Sequence, residues 1–148
     1  MASRSDVRNR LLLINNGEKT PEAEILSMSP SSPRWIDVMA LSERVGTELI
    51  GNRIEQDSGE DWRHWHALKR LVSHGWLVHR SGYSHAAQQA REFQLSPSGL
   101  VAVRMIELVS RNREMWLDDG KVLVAVLSAD RSSLSFYVSL HDFSQCEK

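Results

Sequence analysis

The stretch that decides the fold is residues 62–99, which contains the segments HGWLVHR (74–80) and EFQLSPSG (92–99). Ahead of the first segment, apolar residues recur every three or four positions, which predicts an amphipathic helix that ends at Gly75. Each segment then carries a short strand pattern, with turn-forming residues between the two. Pro97 suits the start of another helix. The predicted order is therefore helix, strand, loop, strand, helix.

The first helix of this series, predicted over 62–74, has an apolar side and a polar side. The polar side carries basic and hydroxyl residues at helical spacing, namely Arg63, His66, Lys69, Arg70 and Ser73. Arginine can read guanine through two hydrogen bonds, and lysine and serine can hold phosphates. A solvated basic face on an ordinary amphipathic helix would explain the same pattern without a ligand. The strand pair that follows favours a surface that binds nucleic acid.

The strand pair predicts a β-hairpin over 76–95 that projects beside the helix as a wing. Three basic residues would line this wing, Arg80, His85 and Arg91. Phosphates attract such side chains, and an adjacent minor groove admits them. We therefore expect the wing to contact the DNA backbone or that groove.

The segments LKRLVSHGWLVHR (68–80) and FQLSPSGLVAV (93–103) resemble part of the winged helix-turn-helix bacterial regulators of the MarR and PadR type. In those families a leucine-rich recognition helix ends in a Gly-apolar-apolar-x-Arg step, and a wing strand leads into a Leu-Thr-x-x-Gly helix start. The matching residues are Leu68, Leu71, Gly75, Trp76, Leu77, Arg80, Leu95, Ser96 and Gly99, with serine in place of the usual threonine. The resemblance covers residues 62–100. It implies a transcriptional regulator that reads duplex DNA with the 62–74 helix and the 76–95 wing.

Upstream, the chain departs from that family pattern. Residues 40–46 (ALSERVG) are similar to the first helix of the helix-turn-helix, but residues 47–59 separate them from the recognition helix. Either the first helix continues through 48–54 or the loop is expanded.

The flanking segments predict further elements. Residues 6–15 favour a helix with Val7, Leu11 and Ile14 on one face, and Thr20 suits the N-cap of a second helix that ends at Met28. The runs KVLVAVL (121–127) and LSFYVSL (134–140) predict a C-terminal hairpin, with Leu134, Phe136, Val138 and Leu140 pointing inward. The expected fold class is mainly α with a small β component. A single winged-helix-like domain, 1–148, would comprise an N-terminal helical extension (1–33), a winged-helix core (34–113) and the hairpin (114–148).

Charge is distributed unevenly along the chain. The net charge is only −1, yet residues 62–113 hold eight Lys or Arg against two acids. Residues 18–61 hold four bases against ten acids, and residues 114–148 hold three against six. Positive charge is thus concentrated on the segment predicted to face DNA.

The helix predicted over 98–113 is apolar around more than one stripe, including Leu100, Val103, Ile106 and Leu108. Such a helix is either a dimerisation helix or a central helix buried by the C-terminal strands. We expect a homodimer, because a two-fold dimer suits a palindromic DNA site.

Composition bounds the function classes. One cysteine among 148 residues permits no disulfide within the chain, so we expect a cytoplasmic protein, with no signal peptide or membrane span. The histidines lack the spacing of a metal site, and no phosphate loop or nucleophile motif occurs, so the sequence predicts no enzyme, cofactor or metal.

The alternative function is a winged-helix adaptor that binds protein partners in a larger assembly, such as a phage or defence system. Five tryptophans favour that alternative, because exposed tryptophan anchors interfaces.

Overall fold

The computed structural model describes residues 9–15, 17–47, 49, 59–82, 90–111 and 122–139. These residues form four helices and seven strands, which are β1 (Arg10–Asn15), β2 (Glu18–Lys19), α1 (Pro21–Met28), β3 (Ile36–Asp37), α2 (Val38–Val45), α3 (Gly59–Ser73), β4 (Leu77–Gly82), β5 (Ala90–Leu95), α4 (Pro97–Arg111), β6 (Val122–Leu127) and β7 (Leu134–Ser139). The strands build two antiparallel sheets, one of order β2-β1-β6-β7 and one of order β3-β5-β4. The prediction of a mainly α fold is therefore wrong, and the described residues form an α/β fold.

β1 is a strand, although the sequence predicts a helix over 6–15. β1 pairs with β2 on one side and with β6 on the other. Leu11 and Leu13 are fully buried, while Leu12 between them is half-buried. A short apolar run has no periodicity that separates strand from helix, and Leu11 lies opposite Ala125, far along the chain. The rest of the predicted helix, residues 6–8, lies outside the described residues.

Helices α1 and α2 begin and end at capping residues. The Thr20 side chain accepts a hydrogen bond from the Ala23 backbone N–H at 3.2 Å, which confirms the predicted start of α1. Asp37 caps α2 in the same way. Gly46 ends α2 with a φ of 88°, in the left-handed region that favours glycine. The helix at 40–46 therefore stops at Val45, and residues 48 and 50–58 lie outside the described part of the chain.

The wing predicted from sequence is present as a pair of strands. β4 and β5 pair antiparallel from Leu77 opposite Leu95 to Gly82 opposite Ala90, which confirms this hairpin. β3 adds a third strand on the far side of β5, an element that the sequence did not predict. Its two residues are too few to show a strand pattern.

Trp76 joins α3, β4 and α4 in the core. Its side chain is 1% exposed, so Trp76 packs in the core and is not one of the exposed tryptophans that would favour an adaptor. The Ser96 hydroxyl donates to the Trp76 carbonyl at 3.0 Å and accepts from the Gly99 N–H at 3.0 Å. These bonds fix the first turn of α4 to the start of β4.

The C-terminal hairpin is confirmed, but its two strands differ in exposure. β6 lies between β1 and β7, and its residues from Val122 to Ala125 are buried. β7 is an edge strand, and its Tyr137 and Val138 side chains are 51% and 62% exposed. Leu134 and Phe136 are partly buried against the core, as predicted, but Val138 is exposed, so the prediction for Val138 is wrong. Leu140 lies outside the described residues. None of the described helices has the length and apolar character needed to cross a membrane.

Candidate nucleic-acid interface

The predicted polar side of α3 is open to solvent. Arg63, His66, Lys69, Arg70 and Ser73 are all exposed. The other side of α3 is buried at Ala67, Leu68 and Leu71. Because these two sets alternate with the period of the helix, the five predicted residues lie along one exposed face. We call this set the α3 row.

Trp65 borders the α3 row and holds two of its members. The Lys69 Nζ lies 4.3 Å from the centroid of the Trp65 ring, over its face. The His66 ring meets the same ring edge-on, with centroids 4.9 Å apart. A cation over an indole face gains electrostatic attraction and keeps its charge. The half-buried Trp65 therefore limits the conformations that the lysine can adopt.

The C-terminal half of the α3 row reaches the other sheet. The Arg70 guanidinium donates from Nη2 to the Arg10 carbonyl at 3.3 Å, at the start of β1. The Ser73 hydroxyl donates to the Arg70 carbonyl at 3.2 Å. A guanidinium has five N–H donors, so the bond to Arg10 leaves donors that can reach a ligand.

In the wing, Arg80 is fixed by two neighbours. Its Nε donates to Glu92 Oε1 at 2.9 Å, and its Cζ lies 4.2 Å from the centroid of the Trp35 ring. The Arg80 side chain is still 52% exposed. Arg91 lies opposite Ser81 in the hairpin and is exposed. The third predicted wing residue, His85, lies outside the described residues.

One of the described histidines, His64, forms a contact with an acidic side chain. His64 Nε2 lies 2.6 Å from Glu24 Oε2, which ties α3 to α1. Within the described ranges, no three His, Cys, Asp or Glu side chains are grouped so that they could hold a metal ion.

Sequence reasoning missed Arg131, which lies on the turn between β6 and β7 and is exposed. A Cβ added to Gly75 would lie 3.0 Å from the Arg131 Cζ, so the guanidinium packs on the backbone just beyond α3. An open cleft of about 440 Å³ lies beside it, with His79 and Ser98 among its lining residues. No local pattern could have signalled this contact, because it joins segments that are distant in sequence.

Comparison with protein families, with curated protein sequences and with solved structures finds no match to this chain.

Proposed function

We propose that this protein is a cytoplasmic DNA-binding regulator of transcription that places α3 in the major groove of duplex DNA. The observation that carries the proposal is the α3 row, five exposed polar or basic side chains on one helix face beside a β-hairpin. Among the described residues, the row itself contains no acidic side chain. Electrostatic attraction to phosphates would therefore act along the whole face.

The dimensions of the row suit a duplex. Arg63 and Arg70 are seven residues apart on α3, which is about 10.5 Å along a helix at 1.5 Å per residue. The major groove is about 12 Å wide and admits an α-helix. The two arginines can thus contact base edges about three base pairs apart. Lys69, which lies between them, and Ser73, which follows Arg70, would contact phosphates.

The wing would supply contacts that do not read sequence. Arg91 is exposed on β5, and Arg80 is held in place on β4 by Glu92 and Trp35. Fixed guanidinium groups lose less conformational entropy when they bind phosphate. We therefore assign the wing to the DNA backbone.

The test is selection of a preferred duplex from a random pool, followed by fluorescence anisotropy with variants. We expect Arg63→Ala and Arg70→Ala each to weaken binding to the selected site by about 1–3 kcal/mol. Arg91→Ala should weaken binding to all DNA sequences by the same factor and reduce the salt dependence of the affinity. Arg111→Ala, which removes the same charge from the last residue of α4, is the control. If Arg63→Ala and Arg70→Ala both bind the selected site as tightly as the wild type does, α3 does not read the DNA.

A two-fold dimer through α4 is part of this proposal. Val101 and Leu108 are 44% and 54% exposed and lie two turns apart on α4. When two copies pair antiparallel, Val101 of each copy meets Leu108 of the other. The same pairing brings Arg104 near Glu107 across the axis, so the charges are complementary. The buried alternative for this helix applies to its other side, which includes Ala102 and Ile106.

A second candidate function is that of an adaptor that binds protein partners. The observation that favours it is the exposed apolar pair Tyr137 and Val138 on the edge strand β7. An edge strand offers unpaired backbone groups to an added strand. Failure of the wild-type protein to bind any duplex at low salt would favour the adaptor.

A further inference from the structure

We propose that the turn between β6 and β7 is a second phosphate-binding element, in which Arg131 contacts the DNA backbone beside the C-terminal end of α3. This inference rests on the proposed DNA-binding function and extends it to the sheet formed by β1, β2, β6 and β7. The ligand is a phosphodiester of the same duplex that α3 contacts.

The turn is held rigid by its own side chains. Asp130 Oδ1 accepts hydrogen bonds from the Ser132 hydroxyl at 2.7 Å, from the Ser132 N–H at 3.0 Å and from the Ser128 hydroxyl at 2.7 Å. The Ser128 hydroxyl oxygen also accepts from the Ser133 N–H at 3.1 Å. The backbone adds a bond from the Arg131 N–H to the Ser128 carbonyl at 2.9 Å. These hydrogen bonds therefore hold in place the backbone from which the Arg131 side chain extends.

The fixed turn directs Arg131 toward α3. Arg131 has a φ of 61°, in a region that residues other than glycine rarely adopt. Its guanidinium lies against Gly75, where even a Cβ would come within 3.0 Å of two guanidinium atoms. Gly75 lies two residues beyond Ser73, the last member of the α3 row. The cation thus lies just beyond the C-terminal end of the helix that carries the row.

A second contact places the same end of the sheet against α3. Arg70 donates to the carbonyl of Arg10 at 3.3 Å, and the Leu127 N–H donates to the Asn9 carbonyl at 3.3 Å. The start of β1 and the end of β6 therefore lie together. Arg70 contacts this end of the sheet, and Arg131 lies on the turn that follows β6 and packs on Gly75, so two cations from different elements lie near the C-terminal end of α3.

The chemistry of Arg131 fits a phosphate better than a structural ion pair. Within the described part of the chain, Arg131 forms no salt bridge with an acidic side chain. The neighbouring Asp130 carboxylate accepts its hydrogen bonds from serine groups. The guanidinium is exposed and keeps its charge and its donors. A phosphodiester, which carries one negative charge and accepts hydrogen bonds, satisfies both.

The test measures the affinity of the full chain for a random-sequence DNA duplex at several salt concentrations. We expect Arg131→Gly to weaken binding several-fold and to reduce the slope of log affinity against log salt by about 0.9, the effect of one lost phosphate contact. Glycine adopts positive φ without strain, so this variant should fold. Arg131→Lys should retain most of the slope, because it retains the charge.

Arg111→Ala is the matched control for charge. Pro97 at the start of α4 lines the cleft beside Arg131, and Arg111 ends the same helix, about 21 Å further along. We expect this variant to keep the wild-type slope. Arg131→Gln, which keeps a long polar side chain over Gly75, separates the loss of charge from the loss of packing and should behave as Arg131→Gly does.

The outcomes separate this inference from the proposed function. If the wild-type protein binds duplex and Arg63→Ala weakens it, but Arg131→Gly and Arg131→Gln keep the wild-type slope, the turn does not contact DNA. In that case the guanidinium only packs on the end of α3, and melting temperature alone would change. If the wild-type protein shows no salt-dependent binding, the proposed function fails and this inference fails with it.

Discussion

At the scale of single residues, Gly99 shows how an absent side chain fixes the start of a helix. A Cβ at this position would lie well inside contact distance of the Trp76 carbonyl oxygen. In a helix, alanine is normally more stable than glycine by about 1 kcal/mol. Here the added Cβ would meet the Trp76 carbonyl oxygen, so the backbone of α4 or the backbone at Trp76 would have to move. We expect Gly99→Ala to lower the free energy of unfolding by about 1–3 kcal/mol, measured by urea denaturation. Ser98→Ala is the control, and an unchanged or raised midpoint for Gly99→Ala would contradict the packing.

Asp130 gives the β6–β7 turn a dependence on pH. Hydrogen bonds from the Ser132 hydroxyl, the Ser128 hydroxyl and the Ser132 backbone lower the pKa of Asp130 to about 2, from a usual value of 3.8. A lowered pKa means that the ionised carboxylate stabilises the folded state. This contribution is complete above pH 4 and is lost as the pH falls toward 2.

We therefore expect Asp130→Asn to have a lower melting temperature than the wild type at pH 6. The difference should narrow between about pH 4 and pH 2, the range set by the two pKa values of Asp130. Thermal melts of both proteins across this range provide the measurement. A constant difference down to pH 2 would show that the carboxylate charge does not hold the turn.

The sequence predicted the exposed residues of α3 correctly because helical periodicity alone sets which side faces the core. It did not predict that Arg80 stacks on Trp35 or that Arg131 packs on Gly75. Both contacts join residues that are distant in the chain, and their geometry depends on how whole elements pack. Residue type and spacing therefore located the basic surface but not the groups that fix it.

At the scale of elements, the wing is stabilised by contacts across its strands. Arg80 and Glu92 are opposite each other in the β4–β5 register and form an ion pair. Because both side chains are partly exposed, we expect a double-mutant cycle with Arg80→Ala and Glu92→Ala to give a coupling of roughly 0.2–1 kcal/mol. This coupling energy is calculated from the free energies of unfolding of the wild type, the two single variants and the double variant. A coupling that persists in 1 M salt would mean that the hydrogen bond between the two side chains, and not screened charge attraction, links them.

Helix α4 carries the prediction about assembly. Leu108→Glu would place a carboxylate against the partner's apolar surface, so we expect this variant to be monomeric in light scattering at concentrations where the wild type is a dimer. Ser110→Glu adds the same charge to the same helix at an exposed position on the opposite side from Val101. We expect that control to remain dimeric. A monomeric wild type, or a dimeric Leu108→Glu, would exclude this interface.

Elements with strong local signals were predicted well, and elements defined by distant partners were not. The capping residues Thr20 and Pro21 located α1, and the apolar run of β6 located a buried strand. The four apolar residues from Leu11 to Ile14 fit a helix or a strand equally well, and only the pairing of β1 with β6 decides between them. β3 was missed for the same reason, since its two residues are ordered by β5.

At the scale of the whole molecule, one apolar core joins the two sheets. It includes Leu11 and Leu13 from β1, Trp76 and Phe93 from the wing region, and Ile106 from α4. A core shared in this way predicts a single cooperative unfolding transition. This core includes residues from all three parts of the single domain expected from sequence, for example Leu11, Trp76 and Leu123.

Leu13→Ala tests this cooperativity. The side chain is fully buried, so its truncation should lower the free energy of unfolding by about 2–5 kcal/mol. Tryptophan fluorescence and far-ultraviolet circular dichroism should report the same shifted urea midpoint. Leu12→Ala, at a half-buried position of the same strand, should have a smaller effect. Two separate midpoints in Leu13→Ala would show that the four-stranded sheet unfolds independently.

The pairing of β1 with β6 also has a consequence for biosynthesis. Ala125, which lies opposite Leu11, is translated more than a hundred residues after β1. At about 5–20 residues per second, this delay lasts roughly 5–20 s. Throughout that interval Leu11 and Leu12 lack their partner strand β6, so the nascent chain exposes an apolar segment. Recognition of that segment by chaperones would therefore precede completion of the fold.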